Sequence, residues 1–254
     1  MAELIGDTMN TQSHTDQVLR ELGRRAAGLS PADVERIVRE SRQAARRADR
    51  TLEFNDLLQA LGQAKPPLPA HVRRRLAIHE AGHFVAHLTL GVGRISAISI
   101  ETMGGGGWMR MEQPLEQEAT EDHLEKMLVI YLAGRVAEEQ ILGNVVAGSG
   151  GDARSDLAMA TRLAVDMETK FGFGGDLSLV YLDVKDIAWT LLSHKELAQR
   201  VNARLCDAEM EARNLISRNN AEIEIVVDTL LTNGTLEGEL LKSVFEGLGS
   251  RSPI

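Results

Sequence analysis

Apolar residues recur at helical spacing over most of the chain. Val34, Ile37, Val38, Ala44 and Ala45 make one stripe, with Arg36, Arg39, Arg42, Arg46 and Arg47 largely off it. Ser30-Pro31-Ala32-Asp33 opens that helix in the expected chemistry: a hydroxyl cap, proline at the first helical position and an acid in the first turn. An earlier helical pattern starts near Gln17 and breaks at Gly28, and a short one runs from Leu52 to Leu61. Lys65-Pro66-Pro67-Leu68-Pro69 cannot continue a helix and marks a linker. Beyond it, Val72 to Leu90 is helical and stops at Gly91 and Gly93. Ile95 to Glu101 is short and rich in β-branched residues, and Trp108 to Glu112 follows the Gly104–Gly107 run as a partner strand. Thr120 to Leu142 is apolar on most sides and reads as a buried helix. Gly148 to Gly151 form a loop ahead of a helix starting near Ser155. Helices over Lys195–Asn219 and Ala221–Leu231 complete the pattern. It predicts a mainly α fold with a small β-sheet, divided into a polar tail (1–16), a helical segment (17–64), a Pro-rich linker (65–71) and a main domain (72–254).

Charge sharpens this picture. The chain has 254 residues and a net charge of −9, unevenly spread. Residues 1–78 carry 13 Lys/Arg against 10 Asp/Glu, while residues 79–254 carry 15 against 27. An acidic main domain argues against nucleic acid as a partner. The single Cys206 excludes an internal disulfide framework and an all-cysteine metal site, and fits a reducing compartment. No apolar run is long enough to span a bilayer, and Met1–Asp7 lacks signal-peptide character, so the expectation is a soluble, cytoplasmic chain.

His79-Glu80-Ala81-Gly82-His83 is the stretch that carries chemistry. Residues four apart on a helix share a face, about 6 Å from one another, so both imidazoles can reach one metal ion. Glu80 stands beside that face, where it can take a proton from a water that zinc activates for attack on a carbonyl. Zinc needs a third protein ligand. His87 continues the stripe, but eight residues of helix is about 12 Å, too far for one tetrahedral ion to hold it with His79. Glu138 and Glu139 lie on the predicted buried helix, as ligands or as partners of Arg135 one turn earlier. Asp152 and Asp156 flank the start of the next helix, as ligands or as its cap.

Three segments in order resemble the FtsH-type ATP-dependent zinc metalloprotease family: His79–His83, then Leu132-Ala133-Gly134-Arg135-Val136-Ala137-Glu138-Glu139, then Ser155-Asp156-Leu157-Ala158-Met159-Ala160-Thr161. Phe171-Gly172-Phe173 and Thr235-Leu236-Glu237-Gly238-Glu239-Leu240 extend the resemblance, which covers about Arg73–Leu241. It implies zinc held by His79, His83 and Asp156, with Glu80 as base. Ala27–Val34 and Thr51–Asp56 resemble the end of the helical lid of that family's ATPase module. No G-x-x-x-x-G-K-[ST] segment is present, and Gly104–Gly107 lacks the lysine of a phosphate cradle, so neither ATP hydrolysis nor the family's membrane anchor carries over.

Two functions follow from these residues. One is a zinc metalloendopeptidase that cleaves unfolded polypeptides, with a substrate backbone added to the small sheet. The other is a catalytically idle module that joins oligomers of a full-length ATPase relative. The presence of His79, Glu80, His83 and Asp156 together favours the enzyme. The resemblance further implies a homo-oligomer, a hexameric ring.

Overall fold

A computed structural model describes residues 18–19, 21–23, 25–26, 28–64, 68–101, 106–112, 119–147, 151–175 and 178–249. The polar tail, Gln17, half of the Gly104–Gly107 run and the prolines of the linker's core lie outside them. Two units emerge from the internal packing: Met1–Ala70 with Glu101–Gly106, and His71–Ile100 with Gly107–Ile254.

The first unit holds α1 (Pro31–Arg47) and α2 (Phe54–Ala64). Ser30 caps α1, its hydroxyl accepting from the Asp33 backbone N–H, and Ile37, Ser41 and Ala45 form the buried stripe. Arg50 closes the turn to α2 with a two-pronged contact to Asp56, both N···O distances 2.7 Å.

The second unit is mainly helical. It contains α3 (Ala70–Leu90), β1 (Arg94–Ser99), β2 (Trp108–Glu112), α4 (Glu121–Leu142), α5 (Asp156–Thr169), α6 (Ile187–Ser193), α7 (Lys195–Arg218), α8 (Asn220–Asn233), β3 (Thr235–Glu237) and α9 (Gly238–Gly247). Helices α3 and α4 are hydrophobic nearly all round, and the core lies around them: Ile78, Ala81, Phe84 and Val85 meet Leu128, Val129, Ala133, Val136 and Ala137. From α7 and α8 come Val201, Ala212, Leu215, Ile223, Val226 and Leu230, and Phe245 of α9 stacks on Phe84 with ring centroids 5.4 Å apart.

Three antiparallel strands lie in the order β2-β1-β3. The pattern reading gave two of them. β3 pairs Thr235 with Ser99 and Leu236 with Ile98, secured by a 2.7 Å contact between the Ser99 and Thr235 hydroxyls. Three residues are too few for alternation to reveal, and the pairing is made across more than 130 residues of chain. The helices α6 and α9 were likewise not anticipated. From Ser30 onward the expected helices occur, with ends within three residues of those expected, and the pattern starting near Gln17 falls partly outside the described residues. Among the described residues no helix is long and apolar enough to cross a membrane.

One buried carboxylate anchors an ion network that joins three helices and a loop. Glu168, near the end of α5, receives Arg200 Nε at 2.7 Å and Arg204 Nε at 2.6 Å. Arg204 also donates to the Phe173 carbonyl at 2.6 Å and to Glu121, at the start of α4, at 2.9 Å. Removing Arg204 leaves Glu168 with Arg200 alone and also deletes the bonds to the Phe173 carbonyl and Glu121, a costly loss around a buried carboxylate. Arg204→Ala is expected to lower stability by about 2–3 kcal/mol, read as a shift of the urea midpoint. Arg36→Ala, which breaks only exposed pairs with Asp33 and Glu40, should change it by under about 0.5 kcal/mol.

Candidate metal centre

Nothing but Gly82 interrupts the helix-forming residues of α3 around the two histidines, so His79 and His83 stand one turn apart on one face. Their rings meet edge to face with centroids 4.7 Å apart. α4 comes unusually close on this side. A Cβ at Gly82 would lie 2.7 Å from the Ala137 Cβ and 2.8 Å from the Ala133 carbonyl oxygen. A Cβ at Gly134 would lie 2.5 Å from His83 Nε2 and 2.9 Å from His79 Nε2. The rings therefore rest on bare α4 backbone.

Both outer ring nitrogens are committed. His83 Nδ1 is 2.8 Å from the Ile130 carbonyl oxygen and His79 Nδ1 is 2.8 Å from Glu138 Oε1. A carbonyl can only accept, so the His83 proton sits on Nδ1, and the carboxylate opposite His79 asks the same of that ring. The inner Nε2 atoms are then left to present lone pairs. Glu138 is itself held by Arg75 Nη1 at 2.6 Å, and Arg75 Nη2 donates to Asn144 Oδ1 at 2.6 Å.

The third group comes from α5. Ser155 is its cap, accepting from the Ala158 N–H, so Asp156 is the first helical residue and its side chain is free to reach outward. Asp156 Oδ2 lies 3.0 Å from His79 Nε2 and 3.4 Å from His83 Nε2, while the two Nε2 atoms are 3.1 Å apart. Two ring lone pairs and a carboxylate oxygen thus converge with every outer proton already used. Such a cluster repels itself unless a proton or a cation sits at its centre. Two imidazole nitrogens and one carboxylate oxygen form a donor set that zinc accepts, with a fourth position left open. By donor chemistry the residues fit a metal ion.

Protonation follows the same geometry. Burial works against charging His79, but its bonds to Asp156 and Glu138 prevail and push it up to about 10. Burial also opposes charge on Asp156, yet His79 and His83 hold that carboxyl well below the usual range. Glu138 is lowered too, with the bonds to His79 and Arg75 outweighing its burial. Glu80, 6% exposed, is raised: burial outweighs the attraction of the two histidines. Its carboxylate presses on the backbone of Gly107, where a Cβ would lie 2.5 Å from Oε1.

The remaining candidates fall outside the cluster. His87 is buried, donates from Nδ1 to the Val92 carbonyl at 2.8 Å, and burial lowers it to about 4. Glu139 pairs with Arg213 on the other side of α4. Asp152 accepts from the Arg154 N–H within its own turn, and neither it nor Asp156 is the helix cap. Neither glutamate pairs with Arg135: Glu138 faces Arg75 and His79 instead. Sequence reasoning missed Arg75, although its place four residues before His79, on the same face, was a usable signal.

The model of peptidase family M41 matches residues 68–244. ATP-dependent zinc metalloprotease FtsH 1 of Sorangium cellulosum is 31% identical, with 88% of this chain and 39% of the relative covered. FtsH 2 of Symbiobacterium thermophilum is 30% identical over 89% of this chain and 40% of its own length. FtsH of a Synechococcus strain is 30% identical, with coverage of 91% and 40%. The chain spans about two fifths of the length of these curated relatives.

The protonation pattern has a measurable consequence in metal-free protein. His79 is raised from 6.5 to about 10, so its contribution to stability is full below pH 6.5 and is lost as pH climbs toward 10. In EDTA, the urea midpoint is expected to fall over that interval, and the fall should vanish in His79→Gln. A wild-type midpoint that stays level or rises between pH 6.5 and 10 would contradict the arrangement.

Proposed function

The chain belongs to peptidase family M41, and from that premise we propose that it is a zinc metalloendopeptidase acting on unfolded polypeptides. The observation that carries the reading is the convergence of His79 Nε2, His83 Nε2 and Asp156 Oδ2 within 4.8 Å of one another beside a buried glutamate. Residues 72–254 would form the peptidase domain, and residues 17–64 a lid-like helical segment. His79, His83 and Asp156 are the ligands. Zinc bound there supplies Lewis acidity, which brings the pKa of a water toward neutrality.

The rest is the work of this chain. Glu80 is the general base: it takes the proton of the attacking water and can return it to the leaving amine. Its elevated affinity for protons, caused by burial, suits both transfers. Glu138 orients His79 by holding its Nδ1 proton, and Arg75 and Asn144 hold Glu138; such outer contacts fix the tautomer and ring plane of a ligating histidine. Gly107 keeps the start of β2 against Glu80, so a peptide laid along that strand passes the base. β2 is an edge of the sheet, and an extended backbone can add to it through main-chain hydrogen bonds. The homo-oligomeric ring and the pairing with a full-length ATPase relative remain part of this proposal, by kinship with the family. The idle-module reading gains no support from the site, where His79, His83 and Asp156 converge with Glu80 next to His79 in the chain.

Glu80→Gln is expected to retain zinc and to lose casein cleavage by about 100-fold or more, because only the base is removed. Asp156→Asn should lose zinc, measured by elemental analysis after dialysis, since a neutral amide is a poor replacement for a carboxylate. Glu139→Gln and Asp152→Asn should keep it. Zinc retained in Asp156→Asn but lost in Glu139→Gln would refute the ligand set. These 254 residues hold no phosphate-binding loop, so the isolated chain should cleave casein equally with and without ATP·Mg²⁺. It should spare a stable folded domain, whose open population is small. ATP-stimulated degradation of that domain would refute the prediction.

A further inference from the structure

Resting on the peptidase reading, we propose that Arg110 is a specificity-determining residue that selects an acidic side chain on the N-terminal side of the bond to be cleaved. β2 starts at Trp108, directly after the glycine whose backbone touches Glu80. Trp108, Arg110 and Glu112 alternate with Met109 and Met111 along this strand. The two methionines pack on the core, which leaves the other three on the opposite face. Only there can they meet a bound peptide.

The charges on that face are not equivalent. Glu112 stands directly across from Arg94 on β1, a complementary cross-strand neighbour. Arg110 stands across from Ala97 and has no acidic partner among the described residues. Instead its guanidinium carbon lies 5.3 Å from the centre of the Trp108 ring. The indole N–H is buried without an acceptor among the described residues, so that ring is fixed by packing and by the cation over it. Stacking on an indole leaves the planar donors of an arginine free at their edge and limits the rotamers it must give up on binding. An oriented cation with no acidic partner among the described residues, on an edge strand of an otherwise acidic domain, is suited to a carboxylate.

Direction follows from strand pairing. A peptide that adds to β2 antiparallel runs from Glu112 toward Gly107, so its residues opposite Arg110 precede the bond beside Glu80. Three residues of strand separate Gly107 from Arg110, about 10 Å at 3.3 Å per residue. The selected acid therefore lies about three residues upstream of the cleaved bond. In an antiparallel pair directly opposed side chains share a face, so that acid meets the guanidinium.

The experiment uses two otherwise neutral peptides with Asp or Lys at this position, and the zinc-loaded chain as wild type, Arg110→Lys and Arg110→Glu. Binding is read by fluorescence anisotropy on the Glu80→Gln background, and cleavage sites in a random peptide mixture are read by mass spectrometry. Wild type should favour the Asp peptide about five- to tenfold in both readouts, as a partly exposed ion pair allows, with the preference fading in 1 M NaCl. Arg110→Lys should keep part of it, and Arg110→Glu should reverse it. Cleavage with no charge preference, or with one that Arg110→Glu leaves unchanged, overturns this inference and spares the peptidase reading. Absence of any cleavage by the zinc-loaded wild type overturns both.

Discussion

The contact between α3 and α4 is closer than side chains permit, and the site depends on it. At Gly82 the α3 backbone meets the Ala133 carbonyl and the Ala137 methyl of α4, and at Gly134 the α4 backbone meets the two imidazoles. That approach brings the His79 and His83 rings against α4, where the Ile130 carbonyl and Glu138 take their outer protons. The direction of the inner lone pairs is thus set by the packing of two apolar helices. A methyl group at position 134 would collide with both Nε2 atoms, and one at 82 would push α4, with Glu138, away from the ring it orients.

Asp156 closes the cluster from a different element, and its position is also indirect. α5 is capped by Ser155 at one end and pinned by Glu168, through Arg200 and Arg204, at the other. Those arginines lie on α7, and Arg204 also reaches the first turn of α4. The ion network therefore fixes the helix that carries Asp156 relative to the helix that supports His79 and His83. Rigid secondary elements hold all three donors, an arrangement that favours precise geometry at a site.

Much of this was legible in the sequence. The His79–His83 spacing lies within one helix, where geometry is local and the 3.6-residue period decides which side chains share a face. Glu80, on the same turn, was legible for the same reason. The long helices and two of the three strands followed from their hydrophobic periods. For the third member of the cluster, spacing left four acids open, and only the resemblance of the Ser155–Thr161 segment pointed to Asp156.

Tertiary structure decided the rest because the deciding contacts join residues far apart in the chain. His79 and Asp156 are separated by 77 positions, and Glu138 and Arg75 by 63. Which face of α4 turns inward determines that Glu138 meets a histidine while its neighbour Glu139 meets Arg213 on the far side, a difference of one residue and about 100° of helix. β3 exists because β1 offers it an edge, and three residues carry too little pattern to announce that. The sequence by itself determined the chemistry available and its local spacing. Long-range packing selected the acid that joins the cluster and the one that orients it, since burial and hydrogen bonding act through space and take no account of order along the chain.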